Sequence, residues 1–282
     1  MDFSAIETNI LLKNNSPLDD FLGLSPNDMY DLIYYPHENN SPVQIRSDID
    51  NSTFNKIPFF RIVEELLKIA QRDSFIKLTP LGALPKKVMV ELYSYKFIPE
   101  YFLENGMTKL SRQQDSISIE NAKMVVEVAG LVKKIKGKFS LTKNGTLLLK
   151  HENRLRLFHS VLEAFTERFT WSYNDGYSEH PIGQKGWAFS VFMLAKFGDE
   201  FQHGEFYGDK YVIAFPHFID FFSGVTYETP RENCIRCYVV RTFDRFFEWF
   251  GFVTVEKGAT IFSKSNYKAT DLIRNVFTIE ES

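Results

Sequence analysis

Apolar side chains along this chain fall into helical stripes separated by polar, turn-forming stretches. The first 56 residues carry few of them. NNSP occurs at residues 14–17 and again at 39–42. Between these, Ser25-Pro26-Asn27-Asp28 predicts a helix start, with Ser25 as N-cap and Pro26 at the first helical position. A short helix through Met29, Leu32 and Ile33 follows, and 36–55 reads as a loop with several acids. Over 58–71 the pattern is unambiguous. Phe59, Ile62, Val63, Leu66, Leu67 and Ala70 recur at three- and four-residue spacing and predict an amphipathic helix. FIKLTPLGALPKKVMVELYSY then predicts a short strand at 75–78, a turn at 80–82 and a helix opened by Pro85, and 99–110 reads as helical or mixed.

The clearest unit begins at Ser118. Ile119, Ala122, Val125, Val126 and Ala129 line one helical face, and Gly130 ends the helix as a residue that tolerates positive φ. Residues 131–135 alternate apolar and basic, Lys136-Gly137 turns, 138–141 returns as a second strand, and Thr146 opens another helix. Helix, hairpin, helix is the order of a winged-helix core. A long helix from near Glu152 carries Leu155, Phe158, Val161, Leu162, Phe165 and Phe169. The stretch 172–185 is a polar loop, GWAFSVFMLAKFG is a buried helix, and aromatic helical material continues through 211–222 to a loop at 223–231.

The C-terminal segment repeats this order. VVEVAGLVKKIKGKFSLTKNGTLLL aligns with RFFEWFGFVTVEKGATIFSKSNYKATDLI: Gly130 with Gly251, then a strand, then Lys136-Gly137 with Lys257-Gly258, a return strand, a polar turn and a helix. LTPLG near residue 80 echoes LTKNG, which suggests a partial third copy. The expected fold is mainly α (α+β): two winged-helix units with small β-hairpins, joined by an aromatic-rich helical region. The segments are a polar N-terminal stretch with short helices (1–57), a first winged-helix-like unit (58–156), an aromatic helical linker (157–230) and a second winged-helix-like unit (231–282).

FLGLSPNDMYDLIY, FIKLTPLGALPKKVMVELY and AGLVKKIKGKFSLTKNGTLLL together resemble a set of hypothetical bacterial proteins, some of them near plasmid-encoded families. The resemblance covers about the first half and, more loosely, the C-terminal unit. It implies the fold and carries no assigned activity.

Composition changes the picture in three ways. First, 44% hydrophobic residues with a net charge of −3 exclude a disordered chain. Second, phenylalanine outnumbers leucine by 28 to 24, and 19 of the 28 lie in 157–282 together with all three Trp. The core of the second half is therefore packed with aromatic rings. Third, charge is uneven. Residues 1–60 carry a net −6, 61–108 a net +1, 109–156 a net +7 and 157–282 a net −5. A basic segment in an acidic chain either binds phosphate or forms a solvated hairpin kept soluble by its lysines. No stretch is long and apolar enough for a membrane span, and MDFSAIETNI is not a secretory leader. A cytoplasmic protein without a membrane partner is expected.

The candidate chemistry centres on the first wing. Lys133, Lys134, Lys136 and Lys138, with Lys143 in the next turn, suit phosphate contacts. The preceding helix offers only Asn121 and Lys123, beside Glu120 and Glu127, and no Arg for guanine. In the C-terminal copy Arg236, Arg241 and Arg245 are cationic, but Asp244 and Glu248 are placed to pair with them. Cys234 and Cys237 form one CIRC, half a zinc site at most, and read as small core residues. His151 and His159 share a helix, and His180, His203 and His217 lie among Asp199, Glu200, Glu205 and Asp209, without any HExxH, GxSxG, P-loop or GxGxxG. The glycine- and aromatic-rich 180–218 stretch reads as core. No metal or cofactor is expected. The sequence supports a non-enzymatic winged-helix interaction or regulatory protein whose first wing meets DNA or RNA backbone. The alternative is a protein–protein scaffold or homodimer, and an enzyme of unrecognised class is the third reading.

Overall fold

A computed structural model of the chain describes residues 3–173, 175–224, 228–258 and 264–280. It is mainly helical with small sheets. The described strands are β1 (Val43–Ile45), β2 (Ile76–Lys77), β3 (Val132–Ile135), β4 (Lys138–Leu141), β5 (Gln202–His203), β6 (Val253–Glu256), β7 (Asn266–Ala269) and β8 (Phe277–Ile279). They form three antiparallel sheets, ordered β1-β8, β2-β4-β3 and β5-β7-β6. Among the described residues no helix is long and apolar enough to cross a membrane.

The chain divides into two compact units, 47–170 and 1–46 with 171–282. In sequence the first is inserted into the second. This grouping cuts across the four segments read from composition. It also separates charge: 47–170 holds 20 Lys and Arg against 14 Asp and Glu, a net +6, and the split unit holds 13 against 22, a net −9.

In the inserted unit, Pro58 opens the helix Pro58–Arg72 and Pro85 caps Lys86–Ser94. The third helix, Ile117–Val128, starts one residue earlier than expected. The hydroxyl that accepts from the Ile119 amide is that of Ser116, not Ser118. Phe54, Phe60 and Phe158 meet with ring centroids 5.5 Å apart, and Phe59 packs edge-on against Phe165 at 5.1 Å. Arg154 closes this core, donating to both carboxylate oxygens of Glu64 at 2.7 and 2.8 Å and to the Asn51 carbonyl at 3.1 Å. Such two-pronged ion pairs fix geometry as well as charge. The helix expected to run unbroken past Glu152 is Arg154–Glu163 followed by a π-helical turn, Ala164–Arg168.

The expected strand at 75–78 is β2, but it is not the start of a third copy. Ile76 pairs with Phe139 and Lys77 with Lys138, so β2 completes the first sheet. The split unit is built the same way. Helix Trp187–Phe197, β5, helix Gly204–Ala214, helix Pro230–Arg241 and hairpin β6–β7 follow in order, with β5 pairing β7. The stretch read as a linker thus supplies the opening helix and strand of the second sheet. In both sheets the last strand lies in the middle.

The internal repeat extends to single hydrogen bonds. The helix before each hairpin ends at a glycine of positive φ, Gly130 at 67° and Gly251 at 72°. After each hairpin a threonine hydroxyl donates back to that glycine's carbonyl, Thr142 to Gly130 at 2.8 Å and Thr270 to Gly251 at 2.6 Å. The threonine amides also match, Thr142 donating to Leu131 at 3.0 Å and Thr270 to Phe252 at 2.9 Å. Thr142, not Thr146, caps the helix that follows, Lys143–Leu148. Residues 259–263, in the second hairpin's loop, lie outside the described residues, as do 225–227 of the expected 223–231 loop.

The split unit confirms the aromatic core. Tyr211 stacks on Tyr238 at 4.1 Å, Tyr207 meets Phe243 at 4.7 Å, and Phe252 meets Phe277 at 5.4 Å. The polar tips are satisfied where they are buried. Tyr238 donates to Ser190 at 2.9 Å and Tyr211 to the Lys185 carbonyl at 2.7 Å. Strand β1 falls inside the stretch expected as a loop. It pairs with β8, Val43 opposite Ile279 and Ile45 opposite Phe277.

Candidate nucleic-acid interface

The first sheet has one dry face and one wet face. Residues directly opposite one another across an antiparallel pair project to the same side. Ile76, Phe139 and Lys134 therefore share one face, and Lys77, Lys138 and Ile135 share the other. Lys133 and Ser140 lie on that second face as well, two residues along. Ile76, Phe139 and Val132 are buried, so the first face is core, whereas Lys77, Lys133, Ile135 and Lys138 are exposed.

This geometry sorts the lysines expected to bind phosphate. Lys134 reaches back across the inner edge to Glu127 at 2.7 Å. Lys123 pairs with the same carboxylate at 3.1 Å and is only 6% exposed, so it is no part of the outer surface. Lys136 occupies the hairpin turn with φ of 49°, next to Gly137 at 72°. Positive φ at both positions is the handedness two-residue hairpins favour. Lys138 sets its ammonium 4.3 Å over the Phe75 ring. Lys143 is exposed in the first turn of the helix after the hairpin. Among the described residues Lys133, Lys136, Lys138 and Lys143 make no ion pair. Neither does Lys77, which the sequence reading did not single out. Lys77 and Lys138 stand directly opposite each other, an arrangement that repels unless an anion lies over it.

The helix before the hairpin is closed to a ligand. Ser118 and Asn121 are each 1% exposed. Its N-terminus, a ready anion site, is filled from within by Glu100. The Ser116 and Ser118 hydroxyls each donate to that carboxylate at 2.7 Å, and the Ile117 and Ser118 amides donate to it at 3.0 and 3.1 Å.

No protein-family model, curated protein or solved structure matches this chain. The repeat within it supplies its own comparison. On the second hairpin the positions of Lys77, Lys138 and Ile135 are taken by His203, Asn266 and Glu256, and those of Lys133 and Ser140 by Thr254 and Lys268. Asn266 donates to Glu256 at 3.0 Å. That face has no cluster of cations.

The remaining candidates are structural. Arg241 is fully enclosed, paired with Asp175 and donating to the carbonyls of Ser178 and His180. Arg245 donates to the Tyr173 carbonyl at 2.9 Å. These arginines hold the 173–182 loop instead of pairing with their helical neighbours Asp244 and Glu248. Arg236 pairs with Glu228. Cys234 and Cys237 are buried free thiols, pushed up by burial to about 11 and about 12, and so are poor ligands and nucleophiles at neutral pH. Among the described residues no group of three or more His, Cys, Asp and Glu is placed to hold a metal. His180 stacks on Phe221 at 3.8 Å and His217 packs against Phe218 at 4.3 Å. Burial lowers the His159 imidazole.

Proposed function

We propose that this is a non-enzymatic interaction or regulatory protein with two winged-helix-type units, the first of which binds nucleic-acid phosphate through its wing. The strand order with the last strand central, repeated in both sheets, supports the winged-helix reading. The observation that carries the binding reading is the outer sheet face, where Lys77, Lys133 and Lys138 stand together without carboxylate partners and the second sheet has no counterpart. Phosphate contacts of this kind release counterions, so affinity falls steeply with salt. Replacing Lys77, Lys133, Lys136 and Lys138 together with Glu should abolish binding measured by fluorescence anisotropy at low salt. For the wild type, log K against log salt should slope by about −3 to −4, the value for four phosphate contacts. A wild type without measurable affinity for DNA or RNA at low salt sinks the proposal.

A second reading rests on a different observation. The helix before each hairpin, which in a DNA reader would enter a groove, is here largely buried. A scaffold for protein contact, or a homodimer, needs no reading helix. Light scattering separates the two: a strict monomer that binds nucleic acid excludes the homodimer.

A further inference from the structure

We infer that the outer face of the first sheet takes single-stranded nucleic acid in preference to duplex; this rests on the phosphate-binding reading above. Two observations lead to it. The first is the closed helix. With Ser118 and Asn121 buried and its N-terminus filled by Glu100, the inserted unit presents no side chains of that helix to a duplex groove. Base recognition must come from the sheet face, and a flat sheet face reaches bases only when they are unstacked and turned outward.

The second is what lies between the lysines. Phe75 is 37% exposed and Ile135 55% exposed, in the same field as Lys77, Lys133 and Lys138. The Lys138 ammonium, 4.3 Å over the Phe75 ring, fixes a cation beside an aromatic surface. A basic surface interleaved with an aromatic ring is the chemistry that holds single strands: the lysines track the backbone and bases stack on the ring, whatever their sequence. Duplex DNA keeps its bases stacked inside and uses only the lysines. Phe75 is thus a base platform, and the four lysines Lys77, Lys133, Lys136 and Lys138 serve the backbone.

The test uses the full chain and fluorescence anisotropy at one low ionic strength. The probes are labelled 12-nucleotide oligo-dT, oligo-U and a 12-base-pair duplex. The single strands should bind more tightly than the duplex. Phe75→Ala should weaken single-strand binding about fivefold or more, the loss of one stacked base, and leave duplex binding unchanged. Phe75→Trp should retain it. Because Phe75 is partly exposed, a matching thermal melt checks that Phe75→Ala is folded. Duplex binding equal to or tighter than single-strand binding, or a folded Phe75→Ala with unchanged single-strand affinity, overturns this inference and leaves the phosphate reading standing. Failure of every probe to bind overturns both.

Discussion

Asp244 lies in the π-helical turn Thr242–Phe247 and accepts a 2.6 Å hydrogen bond from the Tyr267 hydroxyl. That bond favours the carboxylate, yet burial outweighs it and pushes the group up to about 6 from its ordinary 3.8. A carboxyl raised by folding contributes stability that is complete below about pH 4 and is lost as pH rises through about 6. At neutral pH the buried charge therefore opposes the fold. Asp244→Asn keeps an acceptor for Tyr267 and removes the charge. It should raise the melting temperature at pH 7.5, by an amount worth about 1–2 kcal/mol, and should flatten the fall in stability that the wild type shows between pH 5 and 7.5. A variant no more stable than wild type at pH 7.5 contradicts this account. At this scale the sequence was only partly legible. Lys133, Lys136, Lys138 and Lys143 could be read as exposed cations from the hairpin pattern. Lys123 could not be read as buried, because its partner Glu127 and the covering helices are set by tertiary packing. Lys77 was missed because its two-residue strand gains a basic neighbour only when it pairs with β4.

Between residue and molecule, the repeated threonine clamp is the most specific element. Thr142 accepts from the Gly145 amide at 2.9 Å while it donates to Gly130, so one hydroxyl caps a helix and ties it to the end of the preceding one. Thr270 does the same between Leu272 and Gly251, at 3.3 and 2.6 Å. Thr142→Val and Thr270→Val keep the shape and remove the hydroxyl. Each should cost about 1–2 kcal/mol in denaturant unfolding. Equal stability to wild type would mean that the clamp contributes nothing. Close approach adds to this at Gly145, where a side-chain carbon would lie 2.0 Å from the Leu131 carbonyl oxygen. The helices and the two hairpins were readable because each has a long apolar period or a Lys-Gly turn. The strands β1, β2 and β5 were not readable as sheet members. They are two or three residues long, and their partners lie some 60 to 240 residues away in sequence.

At the scale of the molecule, charge and packing divide along the same line. The +6 unit carries its own phenylalanine cluster, its own three-stranded sheet and the Arg154–Glu64 pair, all within 47–170. Residues 47–170 expressed alone should therefore unfold cooperatively in a thermal melt followed by circular dichroism, and should keep the salt-sensitive binding of the whole chain. A gradual, non-cooperative melt would show that the unit depends on the rest. The net charge of −3 concealed this division, and segment-by-segment counting exposed its direction but not its boundaries. The pairing of β1 with β8 also sets an order of events during synthesis. Val43 leaves the ribosome 236 residues ahead of Ile279, its strand partner. At about 5–20 residues per second that is a wait of roughly 12–47 seconds. Throughout it the N-terminal strand has an open edge, while the inserted unit already has every residue it needs. The nascent protein is expected to pass through a state with one finished half, in which the early segment is exposed to chaperones and proteases until the last strand arrives.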